Sequence, residues 1–148
     1  MKQPLSAVLL TAAAFASCAC SKPEKQVIDF TALPQQAQTF VQTHFADKQV
    51  AIVYRDNELF DKDFEVIFVD GSNVDFNYKG AWTEVEDRDA DGVPAAVVPS
   101  AILDYVAARH PGQYVVEISK DRRGYDVELN STIELEFNSN GSFIRYDD

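Results

Sequence analysis

Residues Val74 to Asp87 read VDFNYKGAWTEVED, and residues Leu135 to Asp148 read LEFNSNGSFIRYDD. The two stretches align without a gap, matching Phe76 to Phe137, Asn77 to Asn138, Gly80 to Gly141 and Trp82 to Phe143. Self-similarity of this kind is read first, because a chain written twice folds as copies of one unit. On the same offset FEVIF (Phe64 to Phe68) lies over YDVEL (Tyr125 to Leu129). Farther upstream, once a few residues are dropped from the first hairpin, LPQQAQTFVQTHF (Leu33 to Phe45) lies over VPSAILDYVAARH (Val98 to His110).

Each copy predicts one helix followed by four strands. Leu33, Ala37, Phe40, Val41, His44 and Phe45 recur at intervals of three and four, as do Val98, Ile102, Tyr105, Val106 and Arg109, the spacing of one helical face. Pro34 and Pro99 stand at the starts, where a missing amide hydrogen costs nothing. The second helix stops at His110-Pro111-Gly112 for the converse reason. Downstream the period changes to two: Tyr125, Val127 and Leu129 oppose Asp126 and Glu128, and Ile133, Leu135 and Phe137 oppose Glu134 and Glu136. One face of the sheet then packs on the helix and the other meets water. NYKG and NSNG are the hairpin turns, with Gly80 and Gly141 supplying positive φ. The predicted fold class is α+β, a tandem repeat of a helix plus a four-stranded antiparallel sheet in two layers. Whether the two units share one sheet stays open at this level.

The first twenty residues, MKQPLSAVLLTAAAFASCAC, join one Lys to an apolar run from Leu5 to Phe15, then small residues and a Cys, the layout of an export signal. The run is too short to span a bilayer as a retained anchor. Small Ala16 and Ser17 before Cys18 match a lipobox, making Cys18 the expected lipid anchor; Cys20 as the acylated residue, or cleavage after Ala16 to leave a soluble periplasmic protein, are the competing readings. The expected organisation is a lipoprotein-type signal peptide at 1–18, a tether at 19–30, the first repeat at 31–87, an acidic linker at 88–93 and the second repeat at 94–148. The expected location is the periplasm or outer membrane, lipid-anchored or soluble.

No cysteine follows Cys20, so the folded part has neither a disulfide nor a thiol nucleophile and must stand on its core. The whole chain carries 13 Lys and Arg against 24 Asp and Glu, a net charge of −11; loss of Lys2 with the signal leaves 12 against 24, or −12. Such a charge repels the phosphates of nucleic acid and the headgroups of anionic lipid, so membrane contact is expected only through the lipid anchor.

At VPSAILDYVAARHPGQYVVEISKDRRGYDVELNSTIELEFNSNGSFIRYDD the sequence resembles the PepSY-like family of Bacteroidetes envelope proteins, also described as β-lactamase-inhibitor-protein-like. The shared features are the Val-Pro helix start, the pair Tyr105 and Val106, HPG, GYDVEL, and FNSNG followed by an aromatic. The resemblance covers residues 33–148 and implies a tandem helix-plus-sheet fold, export, and binding or inhibition as the role. It brings no catalytic residues and no cofactor, and fold alone does not assign a target.

The acidic stretch EVEDRDADGVP, Glu84 to Pro94, presents Asp87, Asp89, Asp91 and Gly92 at positions one, three, five and six of a calcium loop. Position twelve, where a bidentate Glu should close the shell, is Val98, and Pro94 stands at position eight. A solvated linker between the repeats is the preferred reading, with calcium at Asp87, Asp89 and Asp91 the alternative. His44 and His110 lack any metal-ligand spacing and read as helix-end residues. No nucleophile elbow, catalytic triad spacing or phosphate-cradling loop is present, so no enzyme is expected.

One difference between the repeats points to binding. Ile67 and Val69 align with Glu128 and Asn130, placing apolar groups on a face otherwise built for water. Arg55 and Thr83 are expected to border this patch. The expected function is a non-enzymatic exported module that binds an envelope protein or peptide through the solvent face of its sheet, inhibitor-like in character. Cation or small-ligand binding at the acidic linker and sheet edge is the alternative.

Overall fold

The computed structural model describes residues 25–56 and 63–147. The expected signal segment, Cys18 and Cys20 lie outside the described residues. Along the chain run β1 (Gln26–Val27), a 3-10 turn (Phe30–Ala32), α1 (Gln35–His44), β2 (Val50–Arg55), β3 (Phe64–Phe68), β4 (Asn73–Phe76) and β5 (Trp82–Glu86). After the linker come α2 (Ser100–Arg109), β6 (Val115–Lys120), β7 (Gly124–Leu129), β8 (Glu134–Asn138) and β9 (Phe143–Asp147). The strands form one antiparallel sheet in the order of the chain, β1 to β9. The open question of sheet continuity is answered by β5 and β6, which pair Glu84 with Ser119, Val85 with Ile118 and Glu86 with Glu117. No helix among the described residues is long and apolar enough to cross a membrane.

Both helices cover the same face. Ala37 and Val41 of α1 and Ile102 and Val106 of α2 share one core with Val53, Val66, Phe68, Val74, Phe76, Val85, Ile118, Val127, Leu129, Leu135 and Phe137 of the strands. Aromatic side chains fix each helix on the sheet: Phe40 meets Phe76 edge-on at 5.6 Å, and Tyr105 meets Phe137 edge-on at 5.4 Å. Where the two halves meet, Lys120 of β6 lays its Nζ 3.6 Å from the ring centre of Trp82 on β5.

The FN-x-x-G turns have a common mechanism. Asn77 Oδ1 accepts the N–H groups of Lys79 and Ala81, and Asn138 Oδ1 accepts those of Asn140 and Ser142. Gly80 has φ 84, and a Cβ there would lie 2.8 Å from Pro34 Cβ, so glycine serves both the turn and the seat of α1. The expected tether is partly sheet: β1 pairs Gln26 with Arg55 and Val27 with Tyr54. Pairing with β2 satisfies backbone groups that an edge strand otherwise leaves to solvent.

An acidic sheet face and a lysine among the linker aspartates

The face opposite the helices carries no second layer among the described residues, and register decides what it presents. Residues directly opposite in an antiparallel pair point to the same side. One row runs across the sheet through Ile52, Ile67, Asn73, Glu86, Glu117, Glu128, Glu134 and Asp147. The neighbouring row runs through Tyr54, Glu65, Asp75, Glu84, Ser119, Asp126, Glu136 and Arg145. Carboxylates therefore stand beside carboxylates on successive strands, an arrangement that opposes folding through like-charge repulsion. A shallow depression of about 130 Å³ lies among Glu117, Ser119, Asp126, Glu128, Glu134 and Asp147.

The protein offsets part of this repulsion with its own cations. Arg88, just past β5, folds over the first row and donates to Glu128 at 2.9 and 3.0 Å, to Glu117 at 3.1 Å and to Glu86. Lys25 donates to Glu65 at 2.5 Å, and Arg145 lies 2.6 Å from Glu136. Asp75 is left in a worse position. Its Oδ1 is buried without a hydrogen-bond partner, and burial, then Glu65 and Glu84 beside it, push its carboxyl up to about 7. Burial raises Glu84, Glu117 and Asp126 as well, with neighbouring carboxylates adding to each shift.

The residues expected to form an apolar patch separate in the structure. Ile67 does face outward, half-buried and in register with Ile52. Val69 lies beyond the end of β3, in the turn, 65% exposed, with its N–H bonded to Gln49 O. Arg55 pairs with inward-facing Phe64 and follows buried Val53 by two positions, so strand alternation turns it to the helix side. Thr83 is the extra residue of a bulge, where β4 and β5 shift from the Asp75–Glu84 pair to the Phe76–Trp82 pair. Alignment of the repeats carried no register information for β2 and no sign of that bulge. What it also missed is the acidic rows, whose signal was present as Glu and Asp at alternate positions of β5, β7 and β8 and as single acids on β3, β4 and β6.

The acidic stretch is solvated only in part: residues 88–91 are exposed, whereas Asp87 just before them is not. Asp87 is 3% exposed and its N–H donates to Val116 O, because the strand-like backbone of β5 continues past Glu86 along β6. Lys48, between α1 and β2, places Nζ 2.8 Å from Asp87, 3.0 Å from Asp89 and 2.6 Å from Asp70. Burial works against the ammonium, but hydrogen bonds to these three carboxylates outweigh it and hold Lys48 above its ordinary range. Asp91 is exposed beside them, and Gly92 makes the turn at φ 65. Among the described residues no group of three or more His, Cys, Asp or Glu side chains is arranged to hold a metal ion. Lys48 and the linker border a cavity of about 630 Å³, closed on the other side by Leu103, Val106 and Ala107 of α2 and by Tyr114 and Val115. His44 ends α1 against the Phe40 ring, and His110 caps α2.

The model of a β-lactamase-inhibitor-like, PepSY-like family matches residues 21–66 and 62–145. Among solved structures, a periplasmic protein of the DUF2874 family from Bacteroides vulgatus superposes with TM-score 0.80 at 39% identity, over 84% of this chain and 98% of its own. A Bacteroides thetaiotaomicron protein described as calcium-regulated and periplasmic gives 0.80 at 36% identity, over 84% and 97%. A second Bacteroides vulgatus periplasmic protein, described as of unknown function, gives 0.78 at 31%, over 84% and 100%. No curated protein matches the chain.

Proposed function

The chain belongs to the PepSY-like, β-lactamase-inhibitor-like family, and from that premise we propose a non-enzymatic, exported binding module whose open sheet face seats a cationic segment of an envelope protein or peptide. The observation that carries this reading is the pair of carboxylate rows in cross-strand register, already holding guanidinium groups of the chain's own, Arg88 on the first row and Arg145 on the second. Carboxylates crowded on a regular strand face raise the free energy of the unbound protein, and a cationic partner relieves that repulsion as it docks. Arg fits better than Lys, because its planar fork meets two carboxylate oxygens at once. Ile52 and Ile67, at one end of the first row, supply an apolar anchor beside the charged seats.

Export is supported by the signal-like first twenty residues and by relatives described as periplasmic; Cys18 as the lipid anchor remains part of this proposal. We also read the chain as two copies of one helix-plus-four-strand unit, from the matched FN-x-x-G turns and the matched Phe40–Phe76 and Tyr105–Phe137 contacts. The relative described as calcium-regulated directs attention to Asp87, Asp89 and Asp91. A resident calcium does not fit the first two as they stand, since Lys48 is hydrogen-bonded among them.

The test uses a fluorescent oligo-arginine peptide and its oligo-glutamate counterpart. The Arg peptide should bind, weaken steeply as salt rises, and lose at least about tenfold in affinity to a Glu65→Gln, Glu84→Gln, Glu117→Gln variant. Removing equal charge from the helix side, at Asp47, Asp91 and Asp104, should change affinity by less than about threefold. Equal losses from the two variants would reduce the face to general acidity and defeat the reading.

A further inference from the structure

The linker after β5 has the layout of a loop that closes on a hard cation: carboxylates at Asp87, Asp89 and Asp91, then a tight turn at Gly92. In this fold the point where the first two converge is taken by a side chain. Lys48 Nζ lies within 3.0 Å of Asp87, Asp89 and Asp70, the last brought in by the turn between β3 and β4. The side chains of Lys48 and Asp87 are 12% and 4% exposed, so the pair is largely removed from water. Calcium needs its oxygens at about 2.3–2.6 Å on all sides, and an ammonium hydrogen-bonded to the same oxygens prevents that shell from forming.

We propose that Lys48 is the resident cation of this junction, an ammonium in the place of a divalent metal, and that removing its charge turns Asp70, Asp87 and Asp89 into a divalent-cation site. Three separate segments meet at that nitrogen: the loop after α1, the β3–β4 turn and the linker that leads into α2. The ammonium therefore performs the cross-bridging that a bound metal performs in a loop site, and it does so without metal supply. The buried Asp87 carboxylate explains why the position cannot stand empty, since a buried charge without a partner is strongly destabilising. This inference is independent of the sheet-face reading.

The experiment follows thermal unfolding of the protein and of Lys48→Met, which keeps the aliphatic stem and drops the charge, in excess calcium and in chelator. The wild type should melt at the same temperature in both. Lys48→Met should melt lower in chelator and rise by at least about 5 °C in saturating calcium, with a saturable dose response. Should Lys48→Met fold only with calcium, the proposal stands in stronger form. A double variant, Lys48→Met with Asp87→Asn, no longer buries a lone charge and should fold in either medium, indifferent to calcium. A calcium-induced rise in the wild type would show that Lys48 does not hold the place of the metal. A folded Lys48→Met with no calcium response, or a double variant that still responds, would show that these carboxylates are not a latent site; either result overturns the proposal.

Discussion

Asp75 offers the sharpest test of the acidic face. It sits on β4 between Glu65 of β3 and Glu84 of β5, in register with both, and its buried Oδ1 has no partner. With the folded carboxyl at about 7 against an ordinary value of 3.8, the folded state binds a proton that the unfolded state has released. Stability is therefore gained as pH falls through 7 and lost as it rises, with the full cost of the charge present above pH 7. A shift of about three units corresponds to about 4 kcal/mol at about 1.4 kcal/mol per unit. The face is open to solvent and salt on one side, so screening reduces this to about 1–2 kcal/mol. Asp75→Asn should thus stabilise the protein at pH 8 by that amount, about 4–8 °C in melting temperature. The advantage should shrink as pH passes from 7 toward 4. Calorimetry on both proteins across that range is the assay. An Asp75→Asn variant no more stable than the parent at pH 8, or equally advantaged at pH 4 and pH 8, would refute the account of a face strained by its own carboxylates.

Other substitutions test the remaining contacts. Arg88→Ala removes the chain's own guanidinium from Glu86, Glu117 and Glu128; the network is half exposed, so the stability cost should stay near 0–1 kcal/mol, while oligo-arginine binding tightens at low salt as the seat is vacated, read by fluorescence anisotropy. Phe45→Ala deletes a side chain 1% exposed and stacked on Phe68 at 5.1 Å, and should cost about 3–5 kcal/mol in urea unfolding. Gly124→Ala would set a Cβ 1.9 Å from Phe137 O; since the obstacle is the backbone of β8, strand separation should cost about 3 kcal/mol or more, with loss of near-ultraviolet dichroism.

The local elements were legible in the sequence because each rests on near neighbours in the chain. Helical spacing from Leu33 to Phe45 and from Val98 to Arg109, proline at each helix start and the Asn–Gly turns act within a few residues. The α+β class and the inward strand residues follow from those periods. Local patterns also placed Asp87, Asp89, Asp91 and Gly92 at the spacing of a calcium loop, although Pro94 and Val98 at positions eight and twelve favoured a linker. Those patterns could not show that Lys48, far back in the chain, reaches Asp87 and Asp89, since only the packing of α1, the β3–β4 turn and the linker brings the nitrogen there. Tertiary structure alone likewise joined β5 to β6, turned Arg55 to the helix side and placed Thr83 in a bulge. Alternation within one strand says that a residue faces outward, whereas register between strands says which outward residues touch. Glu86, Glu117, Glu128 and Glu134 become one row only when four strands from both halves lie side by side, and the electrostatics of the candidate site depend on that adjacency.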